Sequence, residues 1–117
     1  MLNWCEDDLA LVLEVFPEIN EEQYIYVVKQ NNLELHLTIY PDWGDVYIEL
    51  FSNNAPDPIF NMELSDCQRI LKVNNKLGEC LEFAPSKCFG EGFEQSQVLP
   101  YGVRIKIRPS IQVNLYS

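Results

Sequence analysis

The sequence is short of positive charge, of histidine and of long apolar runs, and each shortage excludes something. Eight Lys and Arg stand against 18 Asp and Glu, a formal net charge of −10. A surface of that sign repels phosphate backbones and anionic membrane faces, so neither nucleic acid nor a membrane is an expected partner. No run of about 18 apolar residues is present to form a helix across a bilayer. The opening "MLNWCEDDLA" carries acid where a secretory leader needs a basic stretch and an apolar core, so a cytoplasmic chain is expected. One histidine, His36, and four cysteines, Cys5, Cys67, Cys80 and Cys88, with no C-x-x-C pair, fall short of the convergent ligands of a zinc site. The thiols are expected to be reduced and mostly buried, with no metal and no cofactor bound. "FGEGFE" at 89–94 lacks the third glycine and the strand-to-helix context of a dinucleotide fingerprint, and no lysine follows as in a phosphate loop. Nucleophile-elbow and zinc-protease motifs are missing too. No catalytic residue is assigned, and the chain is not expected to be an enzyme.

What is there is enough for a core. The 117 residues are 47% hydrophobic and 22% charged, which fits one domain spanning 1–117. Cys5, Leu9, Val12, Leu13 and Phe16 recur at helical spacing, and Leu11 and Val15 widen the stripe. Asn3 and Glu6 make a capping-box pattern, acids fill the first turn, and Pro17 ends the helix. "QYIYVVK" at 23–29 is β-branched and aromatic, and "NN" at 31–32 is a turn signal. In "NLELHLTIY" Leu33, Leu35, Leu37 and Ile39 alternate with polar residues, as Val46, Ile48 and Leu50 do after the next corner, and "IFNMEL" gives a fourth strand. "SDCQ" at 65–68 allows a short helix through Ile70 and Leu71, although Ile70 and Val73 suit a strand equally. Residues 84–101 form a long Gly- and Pro-containing loop, either functional or mobile. From Val103 to Leu115 the odd positions stay apolar across Pro109, which predicts one long bent strand at or near a sheet edge; a hairpin is the alternative, but proline cannot take the positive φ of a two-residue primed turn. The expected fold is α+β, an N-terminal helix packed on a mainly antiparallel sheet of five to seven strands in a meander.

"TIYPDWGDVYIEL" at 38–50 carries the candidate site. Pro41, Asp42 and Gly44 are explained by a hairpin corner: proline at the second position of a type I turn and glycine at a left-handed bulge. Trp43 has two readings, one folded back onto the sheet and one as an aromatic anchor for a partner. With Tyr40, Asp42, Asp45, Tyr47, Glu49 and Phe51 it makes an acidic, aromatic candidate partner-binding patch. His36 lies on the polar face of its strand, where Asp45, Glu49 or a cysteine could reach it.

Charge is unevenly placed along the chain. Residues 1–66 hold 14 acids and one base, Lys29, whereas 67–117 hold seven bases and four acids. Either the halves lie together and partly neutralise, or the acidic half displays a field for a basic partner. The stripe of Arg104, Lys106 and Arg108 is expected to meet acids across the sheet. In size, charge and helix-plus-meander plan the chain resembles the small acidic immunity proteins that bacteria make against toxins. The resemblance implies a cytosolic protein that docks on the basic surface of a toxin. Two alternatives stay open, a secretion-type chaperone dimer and a small enzyme using His36. The C-terminal strand is the candidate edge for a homodimer or for adding a partner's strand.

Overall fold

The computed structural model describes residues 2–53, 55–76, 78–84, 87–88, 97–98 and 102–116. One helix, α1 (Glu6–Leu13), precedes β1 (Glu18–Asn20), β2 (Gln23–Gln30), β3 (Leu33–Tyr40), β4 (Asp45–Ser52) and β5 (Phe60–Ser65). These five strands are antiparallel neighbours in chain order. Two-residue strands β8 (Lys87–Cys88) and β9 (Gln97–Val98) extend that sheet beyond β5. A second antiparallel sheet is formed by β6 (Ile70–Asn75), β7 (Gly78–Phe83), β10 (Gly102–Lys106) and β11 (Gln112–Tyr116), in the order β11-β10-β7-β6. The architecture is therefore mostly antiparallel sheet with one short helix, and it departs from a single meander. Alternation tells which way a side chain faces but not which sheet its strand joins.

The junction between the sheets is a backbone knot at residues 66–70. Asp66 takes a left-handed backbone (φ 61), and the Cys67 N–H donates to the Gly44 carbonyl at 2.8 Å. The N-terminal segment ties in beside it: Leu2 N–H donates to Pro41 O at 2.9 Å, Asn3 N–H to Gln68 O at 2.9 Å, and Ile70 N–H to Asn3 O at 3.1 Å. This pairing overturns one expectation and settles one open alternative. Asn3 does not cap α1, because its backbone is committed to the bridge with Arg69; Cys5 is the N-cap and makes no side-chain cap bond. Residues 65–68 do not open a helix, and 70–75 are strand, since Ile70 lies opposite Phe83 in the β6–β7 ladder.

One buried cluster draws Leu9, Val12 and Leu13 from α1, Leu35, Leu37, Ile39, Val46 and Ile48 from the first sheet, and Ile70, Leu81, Phe83 and Ile105 from the second. The helix is shorter than its apolar spacing implies. It ends at Leu13, with Glu14 in a left-handed conformation (φ 60), before Pro17 is reached. Cys5 is exposed, Leu11 lies on the outer side, and Phe16 is 88% exposed beyond the helix end. Cys67 and Cys80 are buried.

The C-terminal pattern also folds otherwise. β10 and β11 pair antiparallel, Val103 opposite Leu115 and Ile105 opposite Val113, so the long bent strand is a hairpin. Same-parity residues face each other in this register, and odd positions keep one face in either arrangement. The alternation therefore could not separate the two. The proline argument excluded only a two-residue turn, whereas the loop runs over 107–111. Gln30 closes it from β2: its amide Nε2–H donates to Ile107 O at 2.6 Å, and its Oε1 accepts the Ile111 N–H at 2.7 Å. β11 is an edge strand. Most of 84–101, "FGEGFE" included, lies outside the described residues.

Candidate functional site

The β3–β4 hairpin forms as its residue types dictate. Leu33 to Tyr40 pair with Asp45 to Ser52, and the Tyr40 carbonyl accepts the Trp43 N–H at 3.2 Å and the Gly44 N–H at 2.9 Å. Gly44 holds φ 75, and a Cβ there would sit 2.8 Å from the Cys67 carbonyl oxygen. Glycine is thus required twice, for the left-handed backbone and for the close approach of the 66–68 segment.

Because Leu35, Leu37, Ile39, Val46 and Ile48 face the core, the alternate residues form the outer face of the first sheet. Five of the seven candidate site residues lie there: Tyr40, Asp45, Tyr47, Glu49 and Phe51. Tyr40 and Tyr47 meet edge to face, their ring centroids 5.6 Å apart at 79°. Asp45 is opposite Tyr40, and Glu49 is opposite His36 on β3 and Asn61 on β5. Phe51 packs on the His36 ring at 4.8 Å. Asp42 and Trp43 are in the turn instead, at the end of the hairpin. Trp43 is 66% exposed, so it does not fold back onto the sheet.

The face also gathers residues that the sequence reading did not include. Glu63 of β5 stands opposite Tyr47, and Thr38 of β3 is opposite Tyr47 on its other side. A shallow depression of about 380 Å³ lies over this spot, lined by Thr38, Tyr40, Tyr47, Glu49, Asn61 and Glu63 among others. Glu63 was legible in principle from the alternation of "IFNMEL", but its position beside Tyr47 depends on the β4–β5 register across a seven-residue loop.

The electrostatics follow from this clustering. Partial burial, then Glu63 and Asp45, pushes the Tyr47 phenol above its ordinary value. The His36 Nε2–H donates to Glu34 Oε1 at 2.8 Å, and this bond, with Lys29 nearby, holds the Glu34 carboxyl below its ordinary value. His36 is thus engaged by a carboxylate the sequence reading had not paired with it, and it does not line the depression. Among the described residues no Lys or Arg forms an ion pair with Glu49, Glu63, Asp42 or Asp45. No group of three or more His, Cys, Asp or Glu among the described residues could hold a metal ion.

No helix among the described residues is long and apolar enough to cross a membrane. No protein-family model and no curated protein matches the sequence. Among solved structures, the chain is similar in fold to a chain of a contact-dependent growth inhibition toxin–immunity protein complex from Klebsiella pneumoniae 342. The superposition has a TM-score of 0.73 at 15% identity and covers 97% of this chain and 95% of that one.

Proposed function

We propose that this chain is an immunity-type binding protein of the cytoplasm. In this reading it neutralises a toxin by docking the outer face of β3–β5 and the Trp43 turn on a basic protein surface, and it performs no catalysis of its own. The observation that carries the reading is the outer face itself, where tyrosines and carboxylates stand together and, among the described residues, no Lys or Arg pairs with Asp45, Glu49 or Glu63. A like-signed face of this kind steers a basic partner into contact, and exposed tryptophan and tyrosine supply the anchors that dominate interface energies. The fold shared with a chain of a toxin–immunity complex supports the reading, because an immunity-type fold was the expectation from charge and layout alone. Asp42, Trp43, Asp45 and Glu49 would contact the partner, while Tyr40, Tyr47 and Phe51 shape the surface between them. The unmatched C-terminal edge at β11, where Leu115 is exposed, supports a second association, a homodimer through that strand.

The test is a search of the genes neighbouring this one for a toxin domain with a basic surface, followed by co-expression with it. Growth should be rescued and the two chains should co-elute. Trp43→Ala and Asp45→Lys should each weaken the complex by about tenfold or more. Rescue and co-elution that ignore both substitutions would remove this face from the interface. Light scattering over a range of concentrations, with Ile111→Pro beside the wild type, tests the homodimer. Monomers throughout would end it.

A further inference from the structure

We infer that the depression beside Tyr47 is an acceptor for one arginine side chain of the partner; the inference rests on the docking reading above. The molecule holds its own example of the chemistry. On the second sheet Arg104 places its guanidinium carbon 4.9 Å from the Tyr116 ring centroid, and its Nε–H and Nη2–H donate to Glu82 Oε2 at 3.0 and 2.6 Å. The arrangement depends on Gly102: a Cβ there would lie 2.4 Å from the Tyr116 ring, so only glycine lets that ring settle beside Arg104.

The first sheet repeats the tyrosine and the carboxylates, with no Lys or Arg paired to them among the described residues. Tyr47 has Glu63 directly opposite and Glu49 two residues along its own strand, so a carboxylate stands on either side of the ring. Tyr40 sets its ring against Tyr47 and closes one end of the depression. Thr38, Asn61 and Gln23 add groups that hydrogen-bond without adding charge, and Ile25, Ile48 and Met62 complete the lining. Lys29 is the one Lys or Arg in residues 1–66, and it lies beside Glu34, off the lining. Among the described residues no Lys or Arg pairs with Glu49 or Glu63, so the group this lining calls for is a cation supplied by the partner. Its shape is also specified: a planar guanidinium stacks on a tyrosine face and forks to two carboxylates, which a lysine ammonium cannot do.

The experiment uses the whole chain and the peptide acetyl-Gly-Arg-Gly-amide at low salt, followed by backbone amide shifts. The peptide should move Thr38, Tyr47, Glu49, Asn61 and Glu63. Its lysine analogue should bind about fivefold more weakly, and its citrulline analogue, which keeps the shape and loses the charge, more weakly still. Glu63→Gln and Tyr47→Leu, each checked for a native spectrum, should remove the preference for arginine. Equal shifts from citrulline, shifts elsewhere, or no shifts overturn the assignment. The same variants, taken into the toxin co-elution, separate the two readings. If binding survives Glu63→Gln and Tyr47→Leu but is lost in Trp43→Ala, the docking face stands and the arginine acceptor falls. If the peptide discriminates as expected while co-elution ignores every outer-face substitution, the acceptor stands and its place in the interface falls.

Discussion

On the outer face of the second sheet, Glu82, Arg104 and Tyr116 come from three adjacent strands and close on one another. On the outer face of the first sheet, Tyr47, Glu49 and Glu63 come from two adjacent strands and have no base among them. The comparison bears on the two readings of the charge asymmetry along the chain. Arg104 spends its charge within its own sheet, and Arg108, which pairs with Glu14 at the end of α1, is the arginine that reaches an acid of residues 1–66. Among the described residues, no Lys or Arg of the basic half forms an ion pair with Asp42, Asp45, Glu49 or Glu63. A satisfied polar row serves the fold, whereas an unsatisfied one at the surface leaves its charge to act on whatever approaches.

The contrast exists only while the two sheets are held in their places, and the Gly44–Cys67 contact is one of the ties. Gly44→Val should therefore be the most damaging single change, at about 2 kcal/mol or more, because it forces a β-branched residue into positive φ and onto the Cys67 carbonyl. Gly78→Ala is the control. Gly78 also holds positive φ (106), but nothing lies within 4 Å of its missing Cβ, so about 1 kcal/mol of backbone strain is the expected cost. Urea unfolding of the three proteins checks this, and equal losses at the two glycines would mean that the junction is not tight.

Removing the cation from the second sheet should make it resemble the first. Arg104→Gln leaves the Glu82 carboxylate, 17% exposed, without its partner and should cost about 1 kcal/mol in the same assay. Tyr116 then reports on the local field. Its phenol is raised by burial and by Glu82 and lowered by Arg104, so losing Arg104 should raise it further and leave Tyr47 unmoved. Raised phenol values stabilise the fold fully below the unfolded value near 10, and that stability is lost as pH rises through the folded values. An ultraviolet titration at alkaline pH, in wild type and variant, measures both. A Tyr116 that titrates unchanged would show that Arg104 is not felt at the ring.

The converse change supplies the first sheet with a cation. Thr38→Arg places a guanidinium opposite Tyr47, within reach of Glu49 and Glu63, and should stabilise by a few tenths of a kcal/mol, as cross-strand charge pairs do. It should also bring the Tyr47 phenol down towards its ordinary value and abolish binding of the arginine peptide. A variant that still binds the peptide as wild type does would show that the two guanidinium sites are different.

Much of this comparison could be read from residue order. The β3–β4 hairpin was legible because Pro41 and Gly44 are local signals flanked by two strands of matched alternation. The acidic, aromatic character of its outer face followed from the same parity. Sheet membership did not follow, because it is set by long-range backbone bonds such as Cys67 N–H to Gly44 O, which leave no periodic trace. Helix α1 was overextended for a related reason: Phe16 keeps helical spacing, but the backbone leaves the helix at Glu14. Glu63 joined the site only through the β4–β5 register, and Gln30 closed the β10–β11 loop from 77 and 81 residues away.

A pair between the two halves, Arg108 with Glu14, carries the smallest expected effect. Its two hydrogen bonds are directed, Nε–H to Oε2 and Nη2–H to Oε1, yet both side chains face solvent, where screening and side-chain entropy offset most of the attraction. The sign of its pH dependence is nevertheless definite. The guanidinium beside it holds the Glu14 carboxyl below its ordinary value of 4.5. A depressed carboxylate contributes stability that is present above the unfolded value and lost as pH falls through the folded one. Glu14→Gln should therefore lower the thermal midpoint slightly at pH 7, and the gap to wild type should close as pH falls below about 4.5. Raising salt to about 1 M at pH 7 should close it as well, since exposed charges are then screened within about 3 Å. A gap that persists at both low pH and high salt would assign the effect to packing of the Glu14 side chain, and the pair would then be no electrostatic link between the halves.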